Sequence, residues 1–214
     1  MKKTIIQLSF LFLSLSGYAE EYVIEGDLSV VSNLVVGGNV EAGRNTTASG
    51  YYAHSEGLQT EASGKFSHSE GFRTSASGVA SHSEGGFTRA GAVFSHAEGF
   101  RTEANGQYSH SEGYLSLASG VASHAAGEET VAAGTASYAG GVKANAEHDY
   151  TFVWSGSDDM SSEISSTTNR QFIIYAPNGI YLLGGAIAGD GSALTNLYCE
   201  PYGDLSMGSF TNRP

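Results

Sequence analysis

The sequence predicts an all-β fold, a parallel β-roll or solenoid of about seven fourteen-residue coils, and three observations carry that prediction. His54, His68, His82, His96, His110 and His124 recur at one fixed spacing of fourteen residues, with Tyr138 in register. Glycines recur with them, three places after each (Gly57, Gly71, Gly85, Gly99, Gly113, Gly127 and Gly141) and four places before most of them (Gly50, Gly64, Gly78, Gly106, Gly120 and Gly134). The segments between these glycines are too short for helices, and inside them small and polar residues alternate as a strand requires. Strict periodicity separates this chain from a disordered Gly-rich one.

The elements follow in chain order. Met1-Lys2-Lys3, the apolar run from Ile5 to Leu15 and Gly17-Tyr18-Ala19 read as a secretory signal peptide over residues 1–19, cut after Ala19. That run is shorter than the ~20 apolar residues of a membrane span, and no later stretch reaches that length. A secreted or cell-surface protein with no transmembrane anchor in this chain is therefore expected. Residues 20–41 repeat every six places (Gly26-Asp27-Leu28, Ser32-Asn33-Leu34, Gly38-Asn39-Val40) and read as an N-terminal β cap, which an open roll end needs to avoid templating further pairing. Residues 42–145 are the roll. Residues 146–185, with Tyr150 to Trp154, Gln171 to Tyr175 and a turn at Pro177-Asn178-Gly179, read as a C-terminal β cap. Residues 186–214 are expected to be a linker and a disordered tail.

Within a coil, Ser67 and Ser69 point one way, and His68 and Glu70 the other. Thr60 and Ala62 likewise share a face opposite Gln59 and Glu61. Only Ser, Ala and Thr occupy the face taken as inward, including the alanines Ala48, Ala62, Ala76, Ala90, Ala104 and Ala118, six places before each histidine. The interior is thin, and a lone chain buries little apolar surface for the backbone it orders. Stacking through Tyr52, Phe66, Phe94 and Tyr108 and through Leu58, Phe72, Phe87, Phe100 and Tyr114 adds burial, as does packing three rolls side by side. The expected partner is the chain itself, as a homotrimer.

The Ser-x-Ser/Ala-x-Gly pentad every fourteen residues, with Ala48-Ser49-Gly50, Ala62-Ser63-Gly64, Ala76-Ser77-Gly78 and Ala118-Ser119-Gly120 upstream, resembles the YadA-like head repeat of trimeric autotransporter adhesins. The resemblance spans about half of the chain beyond residue 19. It implies a trimer of left-handed parallel β-rolls and a host-matrix or cell-surface ligand. At the second and fourth pentad positions, where that family carries apolar residues, this chain has His and Glu, a polar type similar to repeats of phage tail fibres. Residues 186–214 show neither the heptads of a coiled-coil stalk nor the alternating ~10-residue segments of an outer-membrane barrel.

The formal charge of −12, about −14 without Lys2 and Lys3, disfavours nucleic acid and anionic lipid as partners. Cys199 is the only cysteine, so no intramolecular disulfide forms. Ser, His and Glu recur together, yet a serine next to its histidine lies on the opposite strand face, so no nucleophile–base pair results and no enzyme is expected. The candidate binding residues are His54, His68, His82, His96, His110 and His124 with Glu56, Glu70, Glu84, Glu98 and Glu112. Coils ~4.8 Å apart would let neighbouring imidazoles approach one metal ion, but a hydrogen-bonded His–Glu ladder explains the pairing without one, so no metal and no cofactor is assigned. If every imidazole were charged, neighbours at that spacing would repel by about 3 kcal/mol at an effective dielectric of 20. Arg73, Arg89 and Arg101 with Phe72, Phe87 and Phe100 are the candidate surface contacts. Three functions compete: an adhesin-like head or fibre module that mediates attachment, a purely structural fibre component, and a metal-binding protein using the histidine column.

Overall fold

The computed structural model describes residues 37–157 and 163–178. Among these residues the chain is entirely β, without a helix, and winds as a parallel β-solenoid. Each coil opens on one strand and closes on a second. The opening strands are β1 (Val40–Arg44), β3 (His54–Leu58), β5 (His68–Phe72), β7 (His82–Ser83), β9 (His96–Ala97), β11 (His110–Tyr114), β13 (His124–Glu128), β15 (Tyr138–Val142), β17 (Phe152–Ser155) and β19 (Phe172–Tyr175). The closing strands are β2 (Thr47–Ala48), β4 (Glu61–Ala62), β6 (Ser75–Ala76), β8 (Arg89–Ala90), β10 (Glu103–Ala104), β12 (Leu117–Ala118), β14 (Val131–Ala132), β16 (Ala144–Ala146) and β18 (Ile164–Ser165). The first set forms one sheet and the second set another, both in unbroken chain order.

All ladders are parallel, and through the repeats each residue pairs with the one fourteen places on: His54 with His68, Ser55 with Ser69, Glu56 with Glu70. Equivalent side chains therefore lie directly above one another. The alternation read from the sequence is the alternation found. Ser55, Ser69, Ser83, Ala97, Ser111, Ala125 and Ala139 from the first sheet and Ala62, Ala76, Ala90, Ala104, Ala118 and Ala132 from the second are fully buried. The interior hydroxyls bond to one another or to nearby carbonyls. Ser55 pairs with Thr60 at 2.8 Å, Ser69 with Thr74 at 2.7 Å and Ser83 with Thr88 at 2.8 Å. Where Ala97 replaces the serine, the Thr102 hydroxyl keeps a bond to the Glu98 carbonyl at 3.0 Å, as Thr88 donates to the Glu84 carbonyl at 3.0 Å beside Ser83. Most of this narrow core's hydroxyls find a partner in this way, whereas those of Ser109, Ser137 and Ser155 are buried without one.

The recurring glycines do not hold the corners by themselves. Two non-glycine positions per coil hold left-handed backbone: Tyr52, Phe66, Ala80, Phe94, Tyr108, Ala122, Ala136 and Tyr150 at one corner, and Gln59, Arg73, Phe87, Arg101, Leu115, Glu129 and Lys143 at the other. Inter-coil hydrogen bonds hold them there, for example Phe66 N–H to Tyr51 C=O and Ala80 N–H to Lys65 C=O, both 2.8 Å. Gly64 has no such backbone; it is needed because a Cβ would collide with the carbonyl oxygen of Gly78 in the next coil.

The solenoid extends past the limits expected for it. Val40 pairs in register with His54, and Asn39 caps this end, donating to Ala48 C=O at 2.6 Å and accepting from Ala53 N–H at 3.1 Å. At the other end Phe152 pairs with Tyr138 and Phe172 with Phe152, so both residues expected in a separate cap continue the same sheet. The interior does become more apolar there, with Val153 buried and Ile164 and Ile173 packed against the same cluster. The expected signal peptide, most of the N-terminal cap and residues from 179 onward lie outside the described residues. Among the described residues no helix is long and apolar enough to cross a membrane.

Candidate functional site

The parallel register places the six histidines in one column on the outer face of the first sheet. Successive rings from His54 to His124 stack with centroids 4.6, 4.7, 4.8, 4.8 and 4.7 Å apart, and the first four pairs are within 8° of parallel. The column continues beyond them. Tyr138 meets His124 edge-on at 5.3 Å, and Phe152 and Phe172 stack on it in turn at 4.7 and 4.8 Å. Phe152 was legible as a member of the repeat, lying fourteen places after Tyr138. Phe172 was not, because a longer connection separates it from Phe152.

Glu56, Glu70, Glu84, Glu98 and Glu112 run alongside, two places from the rings on the same face. The expected ladder of His–Glu hydrogen bonds closes only in part. His110 Nε2 meets Glu98 at 3.0 Å and His124 Nε2 meets Glu112 at 3.2 Å, each reaching back to the preceding coil. Lower in the stack the imidazoles face the glutamate of their own coil, at 3.5 Å for His54–Glu56, 3.7 Å for His68–Glu70 and 3.9 Å for His82–Glu84. The change of partner falls at Glu84, which also lies 3.9 Å from His96. The Nε2 atoms of His68, His82 and His96 are consequently buried without a hydrogen-bond partner.

Electrostatics follow this geometry. Burial, then the neighbouring imidazoles His82 and His54, hold His68 below the usual histidine range against the pull of Glu70 and Glu56. His96 is lowered for the same reasons, burial first and then His110 and His82. Burial alone would raise the Glu98 carboxyl. Hydrogen bonds with His110 and Glu84 and the charges of His96 and His110 outweigh it, so Glu98 lies below its usual value. At these three positions the geometry favours neutral imidazole for His68 and His96 and ionised carboxylate for Glu98.

The aromatic and arginine candidates gather at one corner of the roll. Phe72 and Phe100 end their segments in equivalent positions, and between them the coil carries Gly86, with the ring supplied by the next residue, Phe87. Phe87 meets Phe72 at 5.1 Å and Phe100 at 5.5 Å, both edge-on. The guanidinium of Arg73 lies over Phe72 and Phe87, and that of Arg101 over Phe87 and Phe100, at 5.2–5.8 Å. Arg89 stands apart, exposed on β8 between Ser75 and Glu103 of the neighbouring coils. Sequence reasoning missed a matching group at the opposite corner, where the Lys65 ammonium sits 4.8 Å from the Phe66 ring and 5.5 Å from Tyr51.

Within the repeats the pentad serines face away from their histidines; outside the column, His148 Nδ1 meets the Ser166 hydroxyl at 2.9 Å. Ser67 and Ser69 face inward and are buried, and the Ser67 hydroxyl donates to Gly64 C=O at 2.7 Å. Comparison with protein-family models finds no match for this chain, and neither does comparison with curated protein sequences.

Proposed function

We propose that this protein is a non-enzymatic, secreted or cell-surface attachment module, an adhesin-like head or fibre segment that works as a homotrimer. The observation that supports the reading most directly is the distribution of apolar side chains. The interior takes only small residues through the repeats, while the large rings stand outside: Tyr52, Phe66, Phe94, Tyr108 and Tyr150 are each about half exposed in the single chain. Exposed rings in register along a rigid stack offer an extended contact surface, and such surfaces mark association sites. The corner formed by Phe72, Phe87, Phe100, Arg73 and Arg101 is the proposed ligand contact, because aromatic rings and arginine dominate binding hot spots. The column of histidines and glutamates is the proposed contact between subunits. The resemblance to YadA-like heads points the same way.

Light scattering on the full chain tests the assembly: a three-chain mass is expected, and a well-folded, heat-resistant single copy at micromolar concentration refutes it. Binding to immobilised matrix proteins and to cells tests the attachment. Adhesion that falls at least tenfold in F72A/F100A, with the β signal and the assembled mass retained, is expected. A stable trimer that adheres to nothing would assign a purely structural fibre role instead.

A further inference from the structure

We infer that the histidine column holds divalent metal ions of the zinc type, with imidazole and carboxylate ligands drawn from successive coils. The column is the one proposed above as the subunit contact, but each ligand group is complete within a single chain, so metal loading and assembly are read out separately. It starts from the part of the ladder where the hydrogen bonds fail. His68, His82 and His96 present buried Nε2 atoms that no donor or acceptor meets, a costly state for a polar atom. The nearest carboxylate oxygens stand 3.7 Å from His68 and 3.9 Å from both His82 and His96. Those gaps are too long for hydrogen bonds. They lie within a few tenths of an ångström of ~3.4 Å, the separation of two donors that share one tetrahedral ion at ~2.1 Å.

Three groups of ligands have their donor atoms within 4.8 Å of one another: Glu56, His68 and Glu70; Glu70, His82 and Glu84; and His96, Glu98 and His110, where an ion would replace the 3.0 Å His110–Glu98 hydrogen bond. Closing any of them on an ion requires small rotations of carboxylates that are about a third exposed at Glu70, Glu84 and Glu98 and 44% exposed at Glu56. The donor chemistry selects the ion. Neutral imidazole with carboxylate suits zinc, cobalt or nickel, whereas calcium and magnesium prefer all-oxygen sites. The first two groups share Glu70 and so compete for one ion, while the third is separate. The expected loading is about two zinc ions per chain, with water completing each shell.

The test uses the purified full chain, stripped with a chelator, dialysed against Zn²⁺ and assayed by elemental analysis. About two ions per chain are expected, unaffected by excess Ca²⁺. The pairs H68A/H82A and H96A/H110A should each remove one. E70Q and E98Q, nearly isosteric changes that keep hydrogen-bonding capacity, provide the same readout if the histidine variants fail to fold. Imidazole ¹⁵N spectra should show the Nε2 resonances of His68, His82 and His96 moving on Zn²⁺ addition while His148, outside the column, stays fixed. No retained zinc, retention unchanged in these variants, or displacement by Ca²⁺ would overturn the inference.

Discussion

The hydroxyl shared by Ser69 and Thr74 is buried, and the structure contains its own control for removing it. At the equivalent position Ala97 leaves Thr102 to donate to the Glu98 carbonyl. Ser69→Ala should therefore cost less than the ~1 kcal/mol typical of a lost buried hydrogen bond, because Thr74 can turn to the Glu70 carbonyl in the same way. Chemical denaturation checks this. Backbone positions predict opposite signs. Gly64→Ala drives a Cβ into the Gly78 carbonyl and should destabilise by about 2–3 kcal/mol. Ala80→Gly relieves left-handed backbone at φ 52° and should stabilise by about 0.5 kcal/mol, the strain released less the entropy of the added glycine. Acid is the third residue-scale lever. His68 and His96 are held below their unfolded value near 6.5, so the folded state binds fewer protons; their contribution is complete above about pH 6.5 and is lost as pH falls through the depressed values. Glu98, also lowered, loses its contribution at still lower pH. In chelator, thermal melts should show a falling midpoint between pH 7.5 and 5, and His82→Gln should reduce the fall by removing a charge beside His68.

The element that counts is the coil, because register repeats with it. Each coil presents to the next the same strand faces, the same corner hydrogen bonds and the same interior volume, so coils should be interchangeable units. Deleting residues 110–123, one whole period, rejoins Ser109 to His124 with every side chain in phase. The shortened protein should keep its β signal in circular dichroism and unfold cooperatively. Deleting seven residues from the same place puts closing-strand residues under opening-strand ones and should abolish the cooperative transition. The coil of His82 shows how far one unit can deviate: β7 shortens to two residues, Gly86 replaces a bulky side chain, and Phe87 covers the gap. Strand existence, face and register were all legible in the sequence. The left-handed corners were not, since Tyr, Phe, Arg, Leu and Ala carry no local signal for that backbone; it is imposed by hydrogen bonds from residues fifteen places away, as from Tyr51 to Phe66.

At the scale of the molecule, two long columns of side chains run along an interior that is almost without large apolar groups. One is the imidazole and aromatic column from His54 to Phe172; the other is the corner series that includes Phe72, Phe87, Phe100 and Tyr114. A fold that puts its large apolar groups outside gains from company, and that is the physical basis for proposing a trimer. If subunits meet through the histidine face, trimer dissociation should track acidification through pH 6, measured as mass against pH, because protonated stacked imidazoles repel one another across and along the contact.

The repeat by itself determined that this chain is a parallel β-solenoid, which residues face inward, and that six histidines form one column, because a fixed fourteen-residue period leaves only one way to superpose equivalent coils. The tertiary structure alone decided three other features: which imidazoles bond to glutamate, where the corners turn, and how the solenoid runs on through Phe172. These depend on distances between coils of a few tenths of an ångström and on hydrogen bonds between residues far apart in the chain, and neither quantity is written in a local pattern.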